Sequence, residues 1–203
     1  MIFQARRGSG KTHLIKHITR ILAAKGKFDW IKCVTPTAFN GEWRNAIGQR
    51  AVHESLDTDW LLALLDRQAD SIEEGIQNRG LLILDDCLGC VKFNSPIWTK
   101  IAASSRHYSL TVIISSQHFT KLPPIVRSNA DYIFILGHQP ARTIKNIYEE
   151  FSPKVGLSIV TEEAFTKYLE DSTTDYGSVL IDTASCKCYK IKAPKSSTLK
   201  IRQ

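Results

Sequence analysis

With 203 residues, 43% of them hydrophobic and 23% charged, the chain has the composition of a globular protein with a substantial core, which excludes disordered and fibrous classes. The formal net charge of +7 suits a polyanionic partner without naming one. No run approaches the roughly 18 apolar residues of a membrane span and no secretory leader is present, so an intracellular protein with no membrane span of its own is expected.

Ile2-Phe3 begins a short apolar strand. It leads into Ala5-Arg6-Arg7-Gly8-Ser9-Gly10-Lys11-Thr12 and then an apolar-periodic helix, predicted over Thr12 to Lys25 and stopped by Gly26. Strand, small-residue loop and helix form the context of a phosphate-binding loop. Backbone N–H groups of such a loop and the positive end of the new helix supply the donors that a triphosphate needs. Arg6, Arg7, Gly8, Ser9 and Gly10, with Lys11, Thr12 and His13, are the candidate nucleotide-binding set for ATP. Lys11 is placed to reach the β- and γ-phosphates, and the Thr12 hydroxyl to hold Mg²⁺. The usual first glycine is Ala5 here, so the turn requires a negative φ at that residue.

Trp30 to Thr35 reads as a second strand ended by Pro36. A loop and short helix follow around Glu42-Trp43-Arg44, and Gln49 to Asp57 is polar without a clear period. A long helix is predicted from Thr58 to about Asn78, capped by Asp57 or Thr58, with Leu61, Leu62, Leu64, Leu65, Ala69, Ile72 and Ile76 as its apolar positions. Leu81 to Asp86 is a continuous apolar run closed by two acids, the mark of a strand buried on both faces of a parallel sheet. Ser95-Pro96 opens a helix to about Ser104, and Leu110 to Ser116 is the next buried strand, with Gln117 just past it. A short helix at Pro123–Arg127 and a strand at Tyr132–Leu136 follow. Helices are predicted at Pro140–Phe151 and Thr161–Asp171, then a hairpin of Tyr176–Asp182 and Cys186–Lys192. The alternation predicts a three-layer α/β P-loop NTPase with a mainly parallel central sheet and a C-terminal β-hairpin. We read residues 1–203 as one domain, with its core at 1–137 and helices, hairpin and basic tail at 138–203.

Ligands of parallel sheets bind beyond the carboxyl ends of the strands, and three such ends carry chemistry. Beyond the loop itself, Asp85 is placed to orient Mg²⁺, Asp86 to polarise the attacking water, and Gln117 to sense the γ-phosphate or orient that water. Arg106 precedes its strand, so it belongs at the other end of the sheet and can serve only a neighbouring subunit's nucleotide or a structural role; Arg127 is a second candidate. Five cysteines, Cys33, Cys87, Cys90, Cys186 and Cys188, are expected to be reduced, and Cys87-x-x-Cys90 lacks the second ligand pair of a zinc site.

In this order, the loop, Leu81–Asp86, the Arg106–Gln117 segment and Leu122-Pro123-Pro124-Ile125-Val126-Arg127-Ser128-Asn129-Ala130-Asp131 resemble the FtsK/HerA superfamily. Within it, the chain looks most like the genome-packaging ATPases of double-stranded DNA viruses, the poxvirus type and those of tailless icosahedral viruses. The resemblance covers about Met1 to Leu136. It implies a RecA-like core, a homo-oligomeric ring (often a hexamer), and ATP-driven movement of double-stranded DNA into a preformed capsid. A capsid or portal-vertex protein is the implied partner, and the infected host cell or the virion the implied location. By the same resemblance Asp85 matches the metal-side acid, Asp86 the catalytic acid, Gln117 the sensor and Arg106 the arginine upstream of the sensor strand. Lys187, Lys190, Lys192, Lys195, Lys200 and Arg202, with no acid after Asp182, suit a DNA backbone. Two other readings share the loop. A kinase needs an acceptor pocket and an arginine-rich lid, whereas the segment after Gln117 is proline-rich with only Arg127. A non-packaging translocase or a nucleotide-dependent DNA-binding module is the other.

Overall fold

The computed structural model describes residues 1–151 and 161–195. Their elements in chain order are β1 (Ile2–Ala5), α1 (Lys11–Ala24), β2 (Trp30–Val34), α2 (Arg44–Ile47), β3 (Val52–His53), α3 (Thr58–Glu73), β4 (Gly80–Asp85), α4 (Pro96–Ser104), β5 (Leu110–Ser116), α5 (Pro124–Ser128), β6 (Tyr132–Leu136), α6 (Ala141–Phe151), α7 (Glu162–Ser172), β7 (Gly177–Asp182) and β8 (Lys187–Lys192). Among the described residues one sheet forms, in the order β3-β2-β4-β5-β1-β6-β7-β8. The strands from β3 to β6 are parallel; β7 pairs antiparallel with β6, and β8 antiparallel with β7. This is the predicted mainly parallel α/β arrangement with its terminal hairpin.

The period of two along each strand divides the core into two layers. Leu82, Leu84, Ile133 and Ile135 face one side, where they pack with α3, α4, α6 and α7 through residues such as Leu65, Trp98, Ile147 and Phe165. Leu81, Ile83, Phe134 and Leu136 face the other, against Leu14 and Ile15 of α1 and Ile47 of α2. The β4 run is buried at every position because both faces are covered.

Helix ends follow local chemistry. Gly26 takes φ 61°, and the amides of Gly26 and Lys27 bond the carbonyls of Ala23 and Leu22, a Schellman stop where the sequence put it. The same device ends α3 five residues before the expected Asn78. Gly75 takes φ 69°, and Gly75 and Ile76 bond back to Ile72 and Ser71. Leu62, Ile72 and Ile76 are exposed rather than core positions, while Gln68 is buried and donates to the carbonyls of Asn78 (2.6 Å) and Tyr108 (2.8 Å). The polar stretch from Gln49 holds the two-residue edge strand β3, too short to show a period. Asp57 caps α3 by accepting from the Asp59 amide.

Candidate nucleotide site

The strand order decides what meets at the site. β5 lies between β1, which delivers the loop, and β4, which delivers the acids. Gln117 therefore stands between them, although it is 107 positions from Gly10 and 113 from Gln4 in sequence. Ala5 ends β1 without a positive φ, as the turn requires; the left-handed positions fall on Gly8 (φ 78°) and Gly10 (φ 82°), where no Cβ opposes them. Ser9 closes the loop by donating to the Arg6 carbonyl at 2.7 Å, and Arg6 and Arg7 stand exposed at its tip.

Lys11, buried at the head of α1, donates from Nζ to Asp86 Oδ1 at 2.5 Å and lies 3.9 Å from Asp85 Oδ1. Thr12 Oγ1 donates to Asp85 Oδ2 at 3.2 Å. Gln117 Nε2 donates to Asp86 Oδ2 at 3.1 Å. The five residues expected to share a site thus form one contiguous network at the carboxyl ends of three adjacent strands.

Several partners in that network were not legible in the sequence. Trp43, in the segment before α2, is buried and donates from Nε1 to Asp85 Oδ2 at 2.8 Å. Ser115 Oγ donates to Asp85 Oδ1 at 2.5 Å and accepts from the Asp86 amide at 3.0 Å. Asp86 itself adopts φ 57° and ψ 38°, a left-handed conformation that directs the chain away from the strand immediately after Asp85. Behind the loop, fully buried Gln4 donates to Gln139 Oε1 at 2.9 Å and to the Gln117 carbonyl at 3.2 Å. Gln139 in turn donates to the Leu136 carbonyl at 2.6 Å. Only Gln4 as an out-of-character residue in an apolar strand offered a signal for this pair.

The remaining candidates lie elsewhere. His13 is in the first turn of α1, and its Nε2 donates to the Pro194 carbonyl at 2.9 Å, so this ring is engaged by the chain that follows β8. Arg106 sits ahead of β5, at the sheet end opposite the loop, with its side chain 77% exposed and paired with Asp131. The seven residues of β5 separate it from its own loop by roughly 20 Å, beyond the reach of any side chain. Arg127 is held within the subunit, its Nε 3.1 Å from Glu150 and its guanidinium over the Phe119 ring. Cys87 is buried, donates to the Val34 carbonyl at 3.1 Å, and has its thiol pushed well up by burial; Cys90 donates to the Cys87 carbonyl. All five cysteines are free. Lys200 and Arg202 of the basic tail lie outside the described residues.

The donor set fits Mg²⁺. Thr12 and Asp85 offer hard oxygen ligands side by side, and Mg²⁺ is ordinarily held by one or two protein oxygens together with substrate phosphates. Among the described residues no group of three or more His, Cys, Asp or Glu side chains forms a self-contained metal cage. Among them, too, no helix is long and apolar enough to cross a membrane.

Known proteins resemble this chain in sequence and in fold. The sequence model of the family described as Poxvirus A32 protein matches residues 1–160. Uncharacterized protein 075L of Invertebrate iridescent virus 6 is 32% identical over 136 residues, 66% of this chain and 51% of that protein. Uncharacterized protein L437 of Acanthamoeba polyphaga mimivirus is 28% identical over 197 residues, 90% of this chain and 66% of that protein. The chain thus spans about half to two thirds of the length of these curated relatives. Among solved structures, the genome packaging NTPase B204 from Sulfolobus turreted icosahedral virus 2, in complex with AMPPCP, superposes with a TM-score of 0.68 at 22% identity over 94% of this chain and 95% of B204. The pCW3 conjugation coupling protein TcpA, with ATPgS, gives 0.65 at 15% identity over 94% of this chain and 59% of TcpA. At such identities the likeness establishes a shared fold. The expected resemblance to poxvirus-type packaging ATPases agrees with the family match.

Proposed function

The chain belongs to the Poxvirus A32 protein family, and from that premise we propose that it is an ATP-hydrolysing motor subunit that drives viral double-stranded DNA into a preformed capsid. The observation that carries this reading is the convergence of Lys11, Thr12, Asp85, Asp86 and Gln117 at the carboxyl ends of β1, β4 and β5. B204, of the same fold, is a genome packaging NTPase bound to an ATP analogue, which supports ATP as the ligand.

The loop amides and Lys11 bind the phosphates, and on binding Lys11 exchanges its contact with Asp86 for phosphate oxygens. Thr12 and Asp85 would hold Mg²⁺, which would supply positive charge to neutralise the phosphates. Asp86, released from Lys11 but still bonded to Gln117, is left to orient a water for in-line attack and accept its proton. Gln117 donates to the same carboxylate, so its position follows the state of that acid. Arg106 is out of reach of its own loop, so it can balance the developing charge only on a neighbouring subunit's nucleotide. Exposed Arg106 of an adjacent subunit in a ring supplies that balance in this reading. Net charge and the lysines of β8 and its exit suit a DNA backbone. A capsid or portal-vertex protein and the infected cell or virion complete the proposal.

The test is ATP hydrolysis measured against protein concentration, with and without double-stranded DNA. Specific activity is expected to rise with concentration and again with DNA. A flat specific activity unaffected by DNA would defeat the ring-motor reading.

A further inference from the structure

A nucleoside triphosphate has two ends, and the sheet order assigns each a side of the loop. The acids and Gln117 lie on the β5 and β4 side of β1, and β6 and β7 lie on the other. The γ-phosphate belongs with the acids, so the base must leave the loop toward β6 and β7. β7 runs antiparallel to β6, so its first residue lies at the same sheet end as the phosphate loop.

The residue before β7 is Tyr176. It is 62% exposed, one of four exposed aromatic side chains among the described residues, with Phe39, Tyr132 and Tyr189. Its ring lies against the loop: a Cβ built on Gly10 would sit 3.1 Å from Tyr176 Cδ1. The backbone that holds it there is strained. Asp175 and Tyr176 take φ of 46° and 60°, two successive left-handed residues of which neither is glycine. The turn is fixed on both sides. The Gly177 amide donates to the Thr174 carbonyl at 2.8 Å, and a Cβ at Gly177 would lie 2.3 Å from the Ser172 carbonyl oxygen. Asp175 is paired with Lys192, the residue opposite Gly177 in the β7–β8 ladder. From Lys192 the chain continues to Pro194, whose carbonyl accepts from His13 on the first turn of α1. Two elements thus converge beside the loop on the side where the base must emerge.

We propose that Tyr176 is the platform on which the base of the bound nucleotide stacks, and that it selects purine over pyrimidine nucleoside triphosphates by stacking area. This rests on the loop's being a nucleoside triphosphate site. An aromatic face accepts any base, and larger bases gain more contact. Adenine and guanine are therefore held alike, and cytosine and uracil less well.

The experiment compares binding of AMPPCP, GTP, CTP and inorganic tripolyphosphate to the parent chain, Tyr176→Phe and Tyr176→Asn, the last because asparagine tolerates the left-handed backbone. In the parent, AMPPCP and GTP are expected to bind with similar affinity and CTP more weakly. Tyr176→Asn is expected to weaken AMPPCP and GTP roughly tenfold or more while leaving tripolyphosphate unchanged, and Tyr176→Phe to keep the parent's affinities. Unchanged AMPPCP binding in Tyr176→Asn would overturn the platform and leave the phosphate site standing. Equal weakening of AMPPCP and tripolyphosphate would overturn it too, by assigning the residue to the shape of the loop. A parent chain that binds neither AMPPCP nor tripolyphosphate removes the phosphate site and the platform with it.

Discussion

Asp85 accepts from three side chains drawn from three distant parts of the sequence: Thr12, Trp43 and Ser115. A carboxylate in that cage cannot rotate freely, which is the property required of a residue that orients a metal ion. Trp43→Phe removes the indole N–H and keeps an aromatic ring, a smaller one, at this buried position. Loss of one donor to a buried carboxylate is expected to lower stability by about 1–2 kcal/mol. Because the missing bond leaves Asp85 Oδ2 held by Thr12 alone, the Mg²⁺ concentration for half-maximal ATP hydrolysis should rise several-fold, with little change in binding of tripolyphosphate without metal. Titration of activity with Mg²⁺ checks this, and an unshifted curve would reduce Trp43 to a packing residue. The sequence contained the loop, the paired acids and Gln117 in recognisable local contexts. It held no comparable signal for Trp43, Ser115, Gln4 or Gln139, because their roles depend on partners up to 135 positions away.

At the scale of elements, what was legible is what local chemistry determines. The strands at Trp30, Leu81, Leu110 and Tyr132 are long apolar runs, and their layers follow from the two-residue period. The misplaced end of α3 came from reading apolar spacing at Ile72 and Ile76 ahead of the glycine between them. The short edge strand β3 gains its partner from β2 and has no pattern of its own. Cross-strand fit was equally hidden. Gly80 opposes Trp30 in the parallel ladder, and the indole occupies the space where a Gly80 side chain would be: a Cβ there would lie 2.0 Å from Trp30 Cζ2. Gly80→Ala should therefore destabilise the protein by about 1–3 kcal/mol through overpacking. In the double variant Gly80→Ala/Trp30→Val the loss should be smaller than the sum of the two single losses. Denaturant midpoints of the four chains provide the measurement, and strict additivity would show that the indole is not what excludes the Cβ.

For the whole molecule, stability and the proposed activity are expected to respond to different charges. His17 and His53 are both held below their ordinary value of 6.5, first by burial, then by Arg20 and His13 for His17 and by Lys32 for His53. His17 Nδ1 and His53 Nε2 are buried with no hydrogen-bond partner, so a proton added to either nitrogen would have no acceptor. The unfolded chain takes up these protons as pH falls through 6.5, before the folded chain does. Stability should thus be full above pH 7 and decline below 6.5, until the folded rings also titrate. The denaturation midpoint is expected to drop between pH 7.5 and 5.5, and less steeply in His17→Gln/His53→Gln; equal slopes would refute the assignment. The arginine proposed to act on a neighbour's nucleotide lies instead at the far end of the sheet. Arg106→Ala removes an exposed ion pair with Asp131, which should cost the subunit about 0–1 kcal/mol. If that arginine completes a neighbour's site, its loss should abolish hydrolysis in a correctly folded ring, as Lys11→Ala should from the other side of the interface. Mixing the two variants then separates cis from trans action. A Lys11→Ala subunit still offers its arginine, and an Arg106→Ala subunit still offers its loop. In a random one-to-one ring about one interface in four unites an intact loop with an intact arginine. Activity should reappear on mixing, at a fraction of the parent's level, and scale with the share of mixed interfaces. A mixture that assembles and binds nucleotide but stays inactive would show that Arg106 does not act across the interface.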